Sequence, residues 1–151
     1  MNKLDDVIAE RSISIERILN APRDLVWKVW TEPDHIKKWW GPNGFTNTIH
    51  KMEVKNGGEW DFIMHGPDGT NYKNKIVYID VRKPERLVYD HVSGPVFHVT
   101  VNFEELGSKT KINMRMIFDT VEERERTIEK FGAVEGLKQT IAKLESYLVN
   151  I

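Results

Sequence analysis

The first third of the chain predicts one strand followed by two short helices. Residues 11–19 alternate between apolar and polar side chains, which is the period of a strand with one buried face. Pro22 and Pro33 then mark two helix starts, because proline fits the first helical position, where its missing N–H is not needed. The first of these helices is predicted over about residues 22–30. The apolar side of the second helix is formed by Ile36, Trp39 and Trp40.

The middle of the chain predicts six more strands. Short runs rich in β-branched and aromatic residues are separated there by turn sequences rich in Gly, Pro, Asn and Asp. Short connections of this kind join antiparallel neighbours. The strands are predicted near residues 46–55, 59–65, 72–81, 86–91, 97–105 and 110–118.

The last third predicts two helices with a break between them. Thr120 and Glu123 have the spacing of a capping box and start a helix of about residues 120–131. The break is predicted at Gly132, which suits the left-handed conformation that often ends a helix. A long helix of about residues 133–149 follows, because apolar residues recur there every three or four positions. These residues are Val134, Leu137, Ile141, Leu144, Leu148 and Ile151.

This order of elements predicts an α+β helix-grip fold, in which a seven-stranded curved antiparallel sheet wraps around the long C-terminal helix. One face of the sheet is apolar and must be covered, and the long amphipathic helix is the one predicted element large enough to cover it. The length of 151 residues is typical of one domain. We expect a single helix-grip domain over residues 11–151 and a poorly ordered N-terminal extension over residues 1–10.

Alternation along the predicted strands places large apolar side chains on the face toward the helix. Trp60, Phe62 and Met64 share one face of their strand, and Tyr89 shares a face with His91 on a later strand. Space left between these side chains and the helix would form a pocket for a small apolar ligand. The predicted pocket residues are Trp40, Trp60, Phe62, Met64, Tyr89, His91, Val99, Met114, Met116, Phe131 and Leu137.

Two pairs of aromatic residues allow more than one interpretation. Trp39 and Trp40 either pack in the core or border the pocket, and we expect one of them to take each role. Tyr72 and Tyr78 share one face of their strand. The lysines between them favour the inner face for the two tyrosines, whereas the valines and isoleucine at alternate positions favour the outer face. The sequence leaves this orientation open.

Composition excludes several kinds of function. The 22 Lys and Arg nearly balance the 23 Asp and Glu, for a net charge of −1, so no general attraction to nucleic acid or anionic membranes is visible. The absence of cysteine excludes disulfides and thiolate ligands. No apolar run reaches membrane-spanning length, and charges interrupt the N-terminus before a signal peptide could form. We therefore expect a cytoplasmic protein with no nucleic-acid partner and no membrane insertion.

The sequence offers one candidate for acid or base chemistry. His91 lies on the face toward the helix and could act as a general base or orient a ligand. The alternative is a histidine that is hydrogen-bonded to a neighbouring strand. The other histidines lack the spacing of metal motifs, and no activated nucleophile or phosphate-binding loop is present. We predict no catalytic residue, no metal and no cofactor.

The chain carries a series of short motifs in a specific order. They are Asn20-Ala21-Pro22, Trp39-Trp40-Gly41-Pro42, Gly57-Gly58-Glu59-Trp60, Gly66-Pro67-Asp68-Gly69, Pro84-Glu85-Arg86-Leu87-Val88 and Phe131-Gly132. Each motif is common alone, but together they span almost the whole chain. Their order and spacing resemble the bacterial single-domain relatives of the activator of heat shock protein 90 ATPase, within the START-like (SRPBCC, Bet v 1-like) superfamily of helix-grip proteins.

The resemblance implies a cavity for a small hydrophobic molecule between the sheet and the helix. Two positions depart from the family: Ile76 stands where a glycine is frequent and would narrow the cavity, and His91 stands where an aromatic residue is aligned. The family name also suggests a co-chaperone partner in the stress response. We rank that role below ligand binding, because the eukaryotic activators have a second domain for which this chain has no residues left.

Two further alternatives stay open. Some helix-grip relatives are cyclases or hydratases, and an enzyme of that kind would use His91 here. The sequence favours a binding protein over an enzyme. A homodimer that pairs through a sheet edge is the second alternative.

Overall fold

Seven antiparallel strands and five helices follow one another in residues 3–151, the part of the chain that the computed structural model describes. The predicted helix-grip arrangement of a seven-stranded sheet with a long C-terminal helix is confirmed. In chain order the elements are α1 (Lys3–Glu10), β1 (Ser12–Leu19), α2 (Arg23–Thr31), α3 (Pro33–Ile36), β2 (Thr46–Met52), β3 (Glu59–His65), β4 (Asn71–Arg82), β5 (Arg86–His91), β6 (Phe97–Leu106), β7 (Lys109–Phe118), α4 (Val121–Phe131) and α5 (Ala133–Asn150).

The strands lie in the order β1-β7-β6-β5-β4-β3-β2. From β2 to β7 each strand pairs with the next one in the chain, as short connections require. Strand β1 pairs with β7, where Ile13 lies opposite Met116. The connection from β1 to β2 carries α2 and α3, and α2 packs on β6 and β7.

The inner face of the sheet is apolar because inward positions alternate regularly along the strands. On β7, Ile112 and Met114 are at most 4% exposed. On β4, Ile76 and Tyr78 are buried, so the face that they share with Tyr72 is the inner one. The structure thereby answers the question that the sequence left open for the two tyrosines.

A row of aromatic rings connects the two short helices to the sheet. This aromatic row runs from Phe103 on β6 through Trp30 on α2 to Trp39 and Trp40 after α3, and it ends at Trp60 on β3. Successive ring centroids are 5.4, 5.0, 5.6 and 5.1 Å apart, and each pair meets edge to face. Such pairs contribute about 0.5–1.5 kcal/mol each beyond the burial of their area. The row therefore fixes the position of α2 and α3 over the sheet.

The two adjacent tryptophans take different roles, as the sequence predicts. Trp39 is fully buried, and its indole Nε1 donates a hydrogen bond to the carbonyl oxygen of Val29 at 3.1 Å. Trp40 is half-buried and borders the cavity described below. The first tryptophan is part of the core, and the second is accessible from the cavity.

The break between the two C-terminal helices lies at Gly132, as predicted. This residue has φ 60° and ψ 41°, a left-handed conformation that glycine adopts without steric conflict. At the start of α4, the hydroxyl of Thr120 accepts a hydrogen bond of 3.0 Å from the N–H of Glu123. This bond is one half of the predicted capping box.

The apolar stripe of α5 is buried unevenly. Ile141, Leu144 and Leu148 are at most 8% exposed in the core, and α5 contacts β1. Val134 and Leu137, nearer the start of the helix, are only partly buried. The second half of α5 therefore packs against the sheet, while the first half covers an open space. No helix among residues 3–151 is both long enough and apolar enough to cross a membrane.

The N-terminal extension contains one helix. Lys3–Glu10 forms the helix α1, none of whose residues is buried. Asp5 and Asp6 lie in its first turn, where carboxylates interact favourably with the positive end of the helix dipole. The hydroxyl of Ser12 donates to the carbonyl oxygen of Ile8 and ties the helix to β1. The expectation for residues 1 and 2 lies outside the described residues.

Several element ends differ from the prediction. The helix α3 ends at Ile36, before Trp39 and Trp40, because the chain continues there in separate hydrogen-bonded turns. Pro22 is the N-cap of α2, one position before its first helical residue. Ile151 lies beyond the end of α5 and is 53% exposed, so it does not extend the apolar stripe.

Replacing Leu144 with alanine should lower the free energy of unfolding by about 2–5 kcal/mol, because a fully buried side chain is lost between α5 and the sheet. Urea unfolding followed by circular dichroism measures the change. The matched control is Val149→Ala, since Val149 lies on the same helix but is 75% exposed. Its free energy of unfolding should change by less than about 0.5 kcal/mol. Equal effects of the two substitutions would contradict this description of α5.

Candidate functional site

A cavity of about 610 Å³ lies between the sheet and the two C-terminal helices. Side chains from β3, β4, β5 and β7 form its floor, and α4, the turn at Gly132 and the first half of α5 lie over it. The loop between α3 and β2 and the turn between β5 and β6 complete its rim. This volume falls within the range of roughly 300–1,000 Å³ that is usual for small-molecule sites.

Nine of the eleven predicted pocket residues line this cavity. They are Trp40, Phe62, Met64, Tyr89, His91, Met114, Met116, Phe131 and Leu137. Trp60 and Val99 do not line it, although both lie on the predicted inner face. Trp60 is covered by Phe62, whose ring stacks on it at 4.1 Å, and Val99 is fully buried in the core. Alternation along a strand gives the face of a side chain but not its depth, which explains both errors.

Several lining residues are absent from the predicted set of pocket residues although a pattern pointed to them. Asn74 and Ile76 lie on the inner face of β4, whose orientation was left open. Gly136 and Thr140 lie in α5 at helical spacing around Leu137, and this spacing could have identified them.

Other lining residues have no local signal in the sequence. Pro42 and Phe45 come from the loop between α3 and β2, and Pro95 comes from the turn between β5 and β6. Thr127 and Lys130 come from α4. Their place at the cavity follows from contacts between segments that are distant in the chain.

Two residues of α5 hold the loop between α3 and β2 against the rim. The ammonium Nζ of Lys143 donates to the carbonyl oxygens of Gly41 at 3.2 Å and Pro42 at 3.3 Å. The side-chain oxygen of Gln139 accepts a hydrogen bond of 3.0 Å from the backbone N–H of Asn43. Burial lowers the pKa of Lys143. This part of the rim is therefore fixed to α5 by hydrogen bonds.

His91 is buried at the end of β5, and both of its ring nitrogens have partners. Nδ1 lies 2.7 Å from the carbonyl oxygen of Pro95, and Nε2 lies 2.6 Å from the side-chain oxygen Oδ1 of Asn74. Both of these oxygens are acceptors, because the Nδ2 group of Asn74 donates to the carbonyl oxygen of Tyr72 at 2.9 Å. The ring also stacks on Phe97, with centroids 4.5 Å apart. Neither nitrogen is free to act as a base, so the geometry matches a histidine held by neighbouring segments.

Tyr89 has a different environment in the middle of β5. Its side chain is 3% exposed and lines the cavity. Its ring meets that of Tyr78 edge to face at 6.0 Å, and no hydrogen bond among residues 3–151 contributes to the pKa of its hydroxyl. Burial raises the pKa of Tyr89, so the hydroxyl is neutral and retains its proton.

The charged groups of the cavity lie at its rim. Lys73 and Lys130 are both exposed, and the lining includes no Asp or Glu in the described part of the chain. The floor is formed largely by apolar side chains such as Phe62, Ile76 and Met114. Such a site can bind a ligand by removing apolar surface from water.

Stability should fall as the pH drops below about 6.5, the ordinary pKa of histidine, because burial lowers the pKa of His91 in the folded state. The unfolded chain then binds a proton that the folded chain excludes. The His91→Gln variant should lose less stability than the wild type between pH 7 and pH 5.5. Urea unfolding at each pH measures the difference.

The control for this pH dependence is His50→Gln, since His50 is exposed on β2 and leaves His91 intact. Its stability should fall with pH as that of the wild type does. If His91→Gln instead loses more stability than the wild type toward pH 5.5, the ring is charged in the folded state and donates from both nitrogens.

Solved structures resemble the chain over nearly its whole length. A solution structure of a protein from Arthrobacter aurescens has a TM-score of 0.88 and 27% identity, with 95% of this chain and 89% of that chain covered. A crystal structure of a protein from Nitrosomonas europaea has a TM-score of 0.84 and 27% identity, with 94% and 96% covered. An AHSA1-like protein from Aeromonas hydrophila shares the fold at 22% identity and a TM-score of 0.72, with 89% and 92% covered.

Among curated proteins, none matches the chain. The family described as activator of Hsp90 ATPase homolog 1-like protein matches residues 20–149, a range that contains every residue that lines the cavity. The START-like fold of this family commonly binds hydrophobic ligands. The resemblance seen in the sequence is thereby confirmed, and the chain belongs to the family of activator of Hsp90 ATPase homolog 1-like proteins.

Proposed function

We propose that the protein binds a small apolar or aromatic molecule in the cavity between the sheet and the C-terminal helices. The observation that carries the proposal is the cavity itself, about 610 Å³ in a chain of 151 residues. Protein cores are packed closely and contain few voids larger than a water molecule. Unfilled space of this size between apolar walls is what a ligand site requires.

The composition of the walls supports an apolar ligand of variable shape. Met64, Met114 and Met116 line the cavity together with the ring of Phe62. Methionine side chains are flexible and polarisable, so they adapt to irregular surfaces. Removal of the ligand and these side chains from water supplies the free energy of binding.

Two residues limit the kind of ligand and the kind of function. Ile76 fills part of the floor, so we expect a smaller ligand than a glycine at this position would allow. His91 uses both ring nitrogens within the protein, which supports binding over a reaction that needs this residue as a general base.

A neutral apolar dye tests the proposal. N-Phenyl-1-naphthylamine emits more strongly when it leaves water, and titration into the purified protein should give saturable enhancement. Leu137→Trp places a larger ring at a lining position and should weaken dye binding about tenfold or more, because the ring occupies part of the cavity.

The matched control is Lys138→Trp, since Lys138 is the next residue of α5, is exposed and does not line the cavity. It should bind the dye as the wild type does. Both variants are first checked for cooperative thermal unfolding. Absence of saturable enhancement in the wild type, or an equal loss in the two variants, would contradict the proposed site.

A further inference from the structure

Four polar side chains that line the cavity are buried, at most 6% exposed. They are Tyr89, His91, Thr127 and Thr140. Groups buried in this way normally have hydrogen-bond partners, because an unpaired donor loses its bonds to water without compensation. The partners of the four side chains therefore indicate which group is available to a ligand.

Three of the four use their hydrogen within the protein. Thr127 donates from Oγ1 to the carbonyl oxygen of Glu123, and Thr140 donates to that of Gly136, each at 2.8 Å. The two ring nitrogens of His91 face the carbonyl oxygen of Pro95 and the side-chain oxygen of Asn74, so its N–H has an acceptor within the protein on either side. None of these three side chains has a hydrogen left to offer to a ligand.

The hydroxyl of Tyr89 is the exception. No hydrogen bond among residues 3–151 contributes to its pKa, although the side chain is 3% exposed. The hydroxyl oxygen is also not one of the fully buried unpaired atoms, so it keeps access to the cavity that Tyr89 lines. The residues paired with it across the sheet, Tyr78 on β4 and Val99 on β6, are themselves buried. Because burial raises the pKa of Tyr89, the hydroxyl stays protonated and presents a donor.

The surroundings of this donor determine the charge of its partner. Apolar side chains of the floor, including Ile76, Met114 and Met116, line the cavity with Tyr89. The cationic side chains of the lining, Lys73 and Lys130, are exposed at the rim. A carboxylate on the floor would lose its hydration without a counter-ion, whereas a neutral acceptor loses much less.

We propose that the ligand carries a neutral hydrogen-bond acceptor, such as a ketone or ester carbonyl, on an apolar body, and that the Tyr89 hydroxyl donates to it. This inference rests on the proposed function, since it assigns the ligand class of the same cavity. The apolar walls supply most of the affinity, and Tyr89 sets the orientation of the ligand and favours carbonyl compounds over hydrocarbons of the same shape.

Benzophenone and diphenylmethane provide a matched pair of probes, since they differ by a carbonyl group in place of a methylene group. Their dissociation constants are measured by calorimetry with the wild type and with Tyr89→Phe. The substitution should weaken benzophenone binding about fivefold to tenfold, as expected for one net hydrogen bond, and leave diphenylmethane binding unchanged. The carbonyl stretch of bound benzophenone should also lie at lower frequency in the wild type than in the variant.

Tyr78→Phe is the matched control, since Tyr78 is a buried tyrosine on the neighbouring strand that does not line the cavity. It should change the binding of neither probe. Tyr89→Phe should fold with an unchanged or higher melting temperature, because no hydrogen bond among residues 3–151 contributes to the pKa of the hydroxyl that it removes.

The outcomes separate this inference from the proposed function. If the wild type binds diphenylmethane and Tyr89→Phe affects both probes equally or neither, the carbonyl assignment is overturned while the apolar site stands. If the wild type binds neither probe, both the inference and the proposed function are overturned. A marked loss of stability in Tyr89→Phe would also overturn the inference, because it would show that the hydroxyl has a partner within the fold.

Discussion

The distance between the short helices and the sheet is set by the aromatic row, and the cavity depends on that distance. Trp30 and Trp39 are at most 2% exposed, so the space between the short helices and the sheet is closely packed. The helices therefore cannot move closer to the sheet. The row ends where Trp40 meets Trp60, and Phe62 stacks on Trp60 as the first wall of the cavity. A rigid aromatic wall thus faces the flexible methionines of the opposite strands across the open space.

The apolar stripe of α5 has two roles. Its first half lies over the cavity, and its second half packs against the core. Ile141 and Leu144 are buried in the core, whereas Val134 and Leu137 in the first half of the helix are only partly buried where it lies over the cavity. Lys143 and Gln139 use the same helix to hold the loop at the rim. The left-handed turn at Gly132 then directs α4 over the remaining side.

The sequence predicted the fold, and the alternation along β7 and the first half of β3 also predicted which of their side chains face the helices. It left β4 undecided for a physical reason: the pairing of β4 with β5 shifts at Ile79, so Val81 packs against the core although simple alternation from Tyr78 would place it outside. The face of Trp60 was predicted correctly, but its depth depends on Phe62 stacking over it. Rim residues such as Pro42 depend on hydrogen bonds from α5, which no local pattern encodes.

The cavity also links the lifetime of the protein to its surroundings. Each side chain that faces the cavity has fewer protein contacts than a closed core would give it. Any molecule that binds there in the folded state alone adds stability by mass action, about 2.7 kcal/mol at a concentration one hundred times its dissociation constant. Cellular proteolysis acts on the unfolded fraction, so the steady-state amount of this protein would rise and fall with the supply of such a molecule.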